Sequence, residues 1–166
     1  MRAAGERRDM VEEGDSAPDF TAPLATGDDV ETFELSAALE DGPVVLAFFP
    51  GAFTSVCSHE MSTFRDRIDD FSEHGQLYGV SVDSPFALNA FRDELDLNFP
   101  LISDANHELV ERYDVSMDFA ELGVENIAKR AVLVIDEDGT VTYAWVSDDP
   151  SVEPDYEEVA DAVSAA

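Results

Sequence analysis

The only cysteine of the chain, Cys57, is the residue best suited to covalent chemistry. A thiolate is a strong nucleophile, and a thiol is oxidised stepwise, first to a sulfenic acid. Pro50, Thr54, Val56 and Glu60 stand close to it in sequence, and Arg130 lies far downstream. The apolar run Val44 to Phe49 precedes Cys57 and stops at Pro50-Gly51, which puts the thiol in the first turn of the next helix. Unpaired backbone N–H groups and the helix dipole favour an anion there, so the position favours loss of the thiol proton. Each residue also has a plainer reading. A lone cysteine is usually a small buried hydrophobe, and Thr54 suits an N-cap. Pro50 suits the end of a strand, Glu60 a solvated acid, and Arg130 a surface charge at a strand start.

Other chemistries find less support. His59 lies two residues from Cys57, and residues two apart on a helix point in different directions, so it reads as a surface residue. His74 and His107 are isolated, and one cysteine with three scattered histidines has no metal-ligand spacing. No glycine-rich nucleotide loop is present. We therefore expect neither metal nor cofactor. A phosphatase loop would need arginine where Thr63 stands. A Cys-x-x-Cys redox pair would need cysteine where Thr54 or Glu60 stands. Trp145 reads as a core or interface residue.

The elements that must position these residues follow from hydrophobic patterning. Val44 to Phe49 and Ala131 to Ile135 are continuous apolar runs and read as buried strands. Thr32 to Leu35, Leu77 to Val82 and Phe99 to Ile102 are further strand candidates. One helix is predicted from Ser55 to Glu73, with Val56, Met61, Phe64, Ile68 and Phe71 on its apolar face. A second begins at Ser84-Pro85, with Ser84 as N-cap and Pro85 at the first position. A short helix is expected over His107 to Tyr113, and an acidic one over Pro154 to Ala165. Asp138-Gly139 marks a hairpin into the alternating strand Thr140 to Val146. This order implies an α/β fold with a central mixed β-sheet flanked by helices. The 166 residues suit one domain, residues 14–166, after a flexible polar segment, residues 1–13.

Composition narrows the setting. There are 38 acidic residues against nine basic ones, for a formal net charge of −29. The acids are dispersed from Glu6 to Asp161, which describes a whole acidic surface rather than an acidic tail. Self-repulsion on this scale destabilises a compact state unless salt screens it. We therefore expect a halophilic protein in a salt-rich cytoplasm. Such a surface argues against binding nucleic acid. No apolar stretch reaches the length of a membrane span, and the Arg-rich N-terminus lacks the apolar core of a secretory signal. A single cysteine excludes an internal disulfide, which fits a reducing, intracellular setting.

The segment Phe49-Pro50-Gly51-Ala52-Phe53-Thr54-Ser55-Val56-Cys57-Ser58-His59-Glu60 resembles the active-site segment of peroxiredoxins, Pro-x-x-x-Thr-x-x-Cys. The resemblance continues through Gly79 to Ser84, Asn98 to Asp104 and Arg130 to Asp136, over roughly residues 14–146. It implies a thioredoxin-like fold and a thiol peroxidase acting on hydrogen peroxide and organic hydroperoxides through a Cys57 sulfenic acid. It further implies that Thr54 and the N–H groups of Val56 and Cys57 hold the peroxide oxygens. Arg130 would stabilise the thiolate and the developing charge, Pro50 would shield the pocket, and Glu60 would orient Arg130 from behind. With no second cysteine to resolve the sulfenic acid, the enzyme would be of the one-Cys type. An external thiol, either a small molecule or a thioredoxin- or glutaredoxin-like protein, would recycle it. A homodimer is expected by resemblance. Two other readings are a peroxide sensor that relays oxidation to a client, and a non-catalytic thioredoxin-fold interaction protein.

Overall fold

The computed structural model describes residues 11–166. Residues 1–10 of the expected flexible segment lie outside that range. Two strands, β1 (Thr21–Ala25) and β2 (Val30–Glu34), lead through a single turn of helix, α1 (Leu35–Ala38), to β3 (Val44–Phe48). Helices α2 (Ser55–Asp66) and α3 (Ile68–Ser72) follow, then β4 (Gln76–Ser81), α4 (Pro85–Leu95), β5 (Leu101–Ser103) and α5 (Glu108–Arg112). The chain ends with β6 (Ser116–Phe119), β7 (Val124–Ala128), β8 (Arg130–Ile135), β9 (Val141–Ser147) and α6 (Tyr156–Ala165).

Seven strands form one mixed sheet in the order β2-β1-β5-β4-β3-β8-β9. The pairs β3–β4 and β4–β5 are parallel, and the other pairs antiparallel. The central run is apolar throughout because both faces are covered. Val44, Leu46 and Phe48 enter one core, and Val45, Ala47 and Phe49 the other. β8 alternates in the same way: Leu133 and Ile135 face the first core, Val132 and Val134 the second. Helices α2, α4 and α6 contribute Phe64, Leu88 and Val159 to the second core, so the nucleophile's helix packs on that face. Gly79 of β4 allows the close approach. A Cβ there would lie 2.6 Å from the Leu101 side chain and 3.2 Å from the Met61 sulfur. Among the described residues no helix is long and apolar enough to cross a membrane.

The Ser84 hydroxyl accepts from the Ala87 N–H and caps α4, with Pro85 at its start, as the sequence implies. The Asp138-Gly139 turn joins β8 to β9, with Gly139 at φ +83. Three features depart from the sequence reading. The single helix expected over Ser55 to Glu73 is interrupted at Arg67 (φ −112, ψ 22), whose side chain braces Asp70 at 3.0 Å. The interruption re-aims the chain so that the Phe71 ring meets Phe64 edge-on, with centroids 5.0 Å apart. Strand β1 contains Pro23 and no strong apolar alternation, yet it pairs on both sides. A two-stranded hairpin, β6–β7, rises from a stretch too polar to read as strands.

Candidate active site

The loop from Pro50 to Thr54 links β3 to α2 and sets the start of the helix. The Ala52 N–H donates to Asp83 Oδ2 at 2.8 Å, and the Ser81 hydroxyl donates to the same oxygen at 2.7 Å. The Asp83 carbonyl in turn accepts the Ser103 hydroxyl at 2.7 Å. The ends of two neighbouring strands, β4 and β5, thus anchor the loop through Asp83. Phe53 takes φ +67, a left-handed conformation that costs a non-glycine residue about 1–2 kcal/mol. Its ring packs edge-on against Phe91, centroids 5.2 Å apart.

Thr54 stands at the N-cap of α2 but does not cap it with its side chain. Its hydroxyl donates to the Gly51 carbonyl at 3.0 Å, which keeps the oxygen in the loop and leaves its lone pairs available. The N–H groups of Ser55, Val56 and Cys57 belong to the first turn and have no partner within the helix.

Cys57 is 1% exposed, and Arg130 Nη2 donates to its Sγ at 3.1 Å. Arg130 reaches the sulfur by strand parity. It lies on the same side of β8 as Val132 and Val134, the side covered by α2. The pairing Phe48–Ala131 sets β8 beside the end of β3 from which the loop departs. One face of the guanidinium's fork is fully used. Nη1 meets Glu60 Oε1 at 2.5 Å, while Nε and Nη2 donate to the Pro150 carbonyl at 3.0 and 2.8 Å. Burial opposes the charge on Arg130, but Glu60 and Cys57 beside it more than offset this and hold the guanidinium above its ordinary range. Glu60 is wholly buried. Burial pushes its carboxyl up to about 8, although Arg130 pulls the other way.

A pocket of about 530 Å³ opens over this network. Pro50, Thr54, Val56 and Arg130 line it, whereas Cys57 and Glu60 lie behind the lining. All six residues singled out in the sequence therefore meet at one place. Two contributors carried no sequence signal. The Pro150 carbonyl aims Arg130 through main-chain atoms, which residue type does not reveal. Phe119, Leu122, Val124 and Ile127 form an apolar pocket wall that exists only once β6 and β7 pair. His59 is exposed, as expected, and meets Glu153 at 2.8 Å. No group of three or more metal-ligating side chains occurs among the described residues.

The arrangement is a buried sulfur held against a cation at a helix N-terminus, below an apolar pocket with hydrogen-bonding groups at its floor. Known proteins resemble this chain in sequence and in fold. The AhpC/TSA family model matches residues 13–144. A chloroplastic 2-cysteine peroxiredoxin of Chattonella marina var. antiqua is 36% identical over 143 residues, covering 81% of this chain and 70% of the relative. Alkyl hydroperoxide reductase C of Helicobacter pylori is 35% identical over 144 residues, with coverages of 81% and 70%. Among solved structures, the peroxidoxin BcpB of Mycobacterium tuberculosis superposes with a TM-score of 0.80 at 30% identity, covering 93% of this chain and 97% of that one. The reduced 2-Cys peroxiredoxin of Plasmodium vivax gives 0.83 at 26% identity, with coverages of 93% and 81%.

Proposed function

This chain belongs to the AhpC/TSA family and is a thioredoxin-fold peroxiredoxin, and from that premise we propose that Cys57 works through a one-Cys catalytic cycle. The Cys57 thiolate attacks one peroxide oxygen, the O–O bond breaks, and the peroxide's own proton leaves with the other oxygen as water or alcohol; the sulfenate left on sulfur then takes a proton from solvent to become the sulfenic acid. Negative charge builds on the departing oxygen, and fixed donors must meet it. Arg130 and the first-turn N–H groups of Val56 and Cys57 are those donors, while the Thr54 hydroxyl, whose own proton goes to the Gly51 carbonyl, accepts from the peroxide O–H. Pro50 closes one side of the pocket, and Glu60 holds Arg130 from behind. The observation that carries this reading is the 3.1 Å contact between Arg130 Nη2 and Cys57 Sγ at the start of α2. The apolar wall supports organic hydroperoxides as substrates beside hydrogen peroxide.

The sequence holds one cysteine, so an external thiol completes the cycle, either a small molecule or a thioredoxin- or glutaredoxin-like protein. The test is a single turnover of the reduced protein with hydrogen peroxide. We expect Cys57 oxidation far faster than that of free cysteine at the same pH, one trapped sulfenic acid per chain, and recovery of the thiol on adding a small thiol. Oxidation at the rate of free cysteine would remove the peroxidase reading for this chain.

The net charge of −29 supports a halophilic, cytoplasmic setting. The melting temperature should climb as KCl is raised to molar levels, where the Debye length shrinks to ~3 Å. Equal melting temperatures in dilute and molar KCl would overturn that reading. A homodimer is the expected assembly, and the exposed side chains of Phe86 and Leu122 offer apolar surface for it.

A further inference from the structure

The buried centre of the site contains one cation and two acids. Arg130 faces Cys57 Sγ at 3.1 Å and Glu60 Oε1 at 2.5 Å, and all three side chains are at most 1% exposed. With every group ionised the cluster would hold a net negative charge away from water. The groups facing Glu60 from neighbouring elements do not relieve it. Glu153, on the segment before α6, adds a like charge that works against ionisation of Glu60. Tyr156 of α6 is kept neutral by burial and donates its hydroxyl to Glu153 at 2.6 Å, not to Glu60. His59 of α2 is turned to Glu153 at the surface. Arg130 is the only basic partner of Glu60 among the described residues. The second carboxyl oxygen, Oε2, is buried and has no hydrogen-bond partner among the described residues. A carboxylate with an unsolvated oxygen is among the costliest groups to bury, whereas the neutral acid avoids most of that cost.

We propose that Glu60 is the protonated member of this cluster in the reduced enzyme, so that Arg130 is left as the undivided counterion of the Cys57 thiolate. The proton balance is internal. The Cys57 Sγ–H bond breaks and its electron pair stays on sulfur. The Glu60 carboxylate gains a proton at Oε2, and the charge of the cluster is unchanged. Glu60 is thus a positioning residue that also acts through its charge, because its protonation state sets how much of the Arg130 charge the sulfur and the departing oxygen receive. Burial and Glu153 keep the proton on up to about pH 8. Above that pH Glu60 ionises, competes for Arg130, and the oxidation step slows. The slowing should be smaller than the ~10²–10³ expected for removing a donor altogether.

The proposal rests on the peroxidase reading only for its kinetic arm. The direct test is infrared spectroscopy of the reduced wild-type protein carrying carboxyl-labelled ¹³C-glutamate, titrated from about pH 6 to about pH 9.5. The label separates Glu60 from Asp104, whose carboxyl burial also pushes up. We expect the carbonyl stretch of a protonated glutamic acid near neutral pH, its disappearance near pH 8, and its absence in Glu60→Gln. In single turnover with hydrogen peroxide, the wild type should show a fall in rate through the same pH. Glu60→Gln, a neutral isostere, should show none. A labelled carboxylate already ionised at neutral pH would overturn the proposal, as would a wild-type pH profile that Glu60→Gln leaves unaltered. Slow oxidation of both proteins with the infrared band present would instead discard the peroxidase reading and leave the protonated Glu60 standing.

Discussion

Cys57→Ser abolishes peroxide consumption while leaving the fold in place. The exchange replaces sulfur with a smaller oxygen in a site that is 1% exposed, and the hydroxyl can still accept from Arg130, so packing and the buried network change little. The chemistry changes completely. A serine hydroxyl is not ionised beside a guanidinium, and no second cysteine exists to take over. Loss of a covalent nucleophile costs on the order of a millionfold in enzymes that depend on one, so turnover should fall to the assay background. The measurement is peroxide consumption with excess small thiol, alongside circular dichroism and the melting temperature. Retained turnover in a folded Cys57→Ser protein would mean that the reaction does not pass through this sulfur.

Arg130→Ala should lower the rate of sulfenic acid formation by roughly 10²–10³, the cost of removing one donor aimed at a developing oxyanion. It also strikes the fold. One guanidinium bridges Cys57 on α2, Glu60 on α2 and the Pro150 carbonyl after β9. Breaking a buried ion pair from one side costs about 3–5 kcal/mol when the remaining charge cannot adapt. Glu60 can adapt by holding a proton, so the loss of stability should fall at or below the lower end of that range. Arg130→Lys separates the two effects. It keeps the charge but has a single ammonium for a three-way contact that the planar fork meets at once. Its stability should lie nearer the wild type while its oxidation rate stays well below it. Stopped-flow oxidation and thermal melts in molar KCl measure both quantities. An unchanged oxidation rate in Arg130→Ala would remove Arg130 from the reaction.

The sequence was most legible where one physical demand dominates. β3 and β8 are covered on both faces, and a strand so placed has to be apolar at nearly every position. The start of α4 was legible because Ser84 and Pro85 act locally, through one hydrogen bond and one fixed dihedral. β1 was not legible, because Pro23 removes a donor and its strand status depends on partners at both sides. The β6–β7 hairpin was illegible for a similar reason. Asp118, Glu125 and Asn126 give it no apolar alternation, and Asp118 contributes instead by accepting the Asn126 N–H. The break at Arg67 hides within a pattern that fits one long helix. Phe64, Ile68 and Phe71 keep helical spacing across it, and only the ring packing distinguishes the two outcomes.

By itself, the sequence determined the nucleophile and its surroundings along the chain. One cysteine leaves no choice, and a strand followed by Pro50-Gly51 and a helix sets that cysteine among free N–H groups. These are local consequences of residue type and spacing. Tertiary structure decided everything that crosses the chain. Arg130 lies 73 residues from Cys57 and meets it because β8 runs antiparallel beside β3, in a register that turns even-numbered residues toward α2. The Pro150 carbonyl aims the guanidinium through an atom that every residue possesses. By residue type alone Glu60 is one acid among 38, and only the family resemblance singles it out in the sequence. Only the packing of α2 against the sheet takes it fully out of water and, among the described residues, gives it a single cation to face. The chain supplies the reactive groups, and the fold sets their charge, because burial and counter-charge are properties of neighbours that sequence order does not bring together.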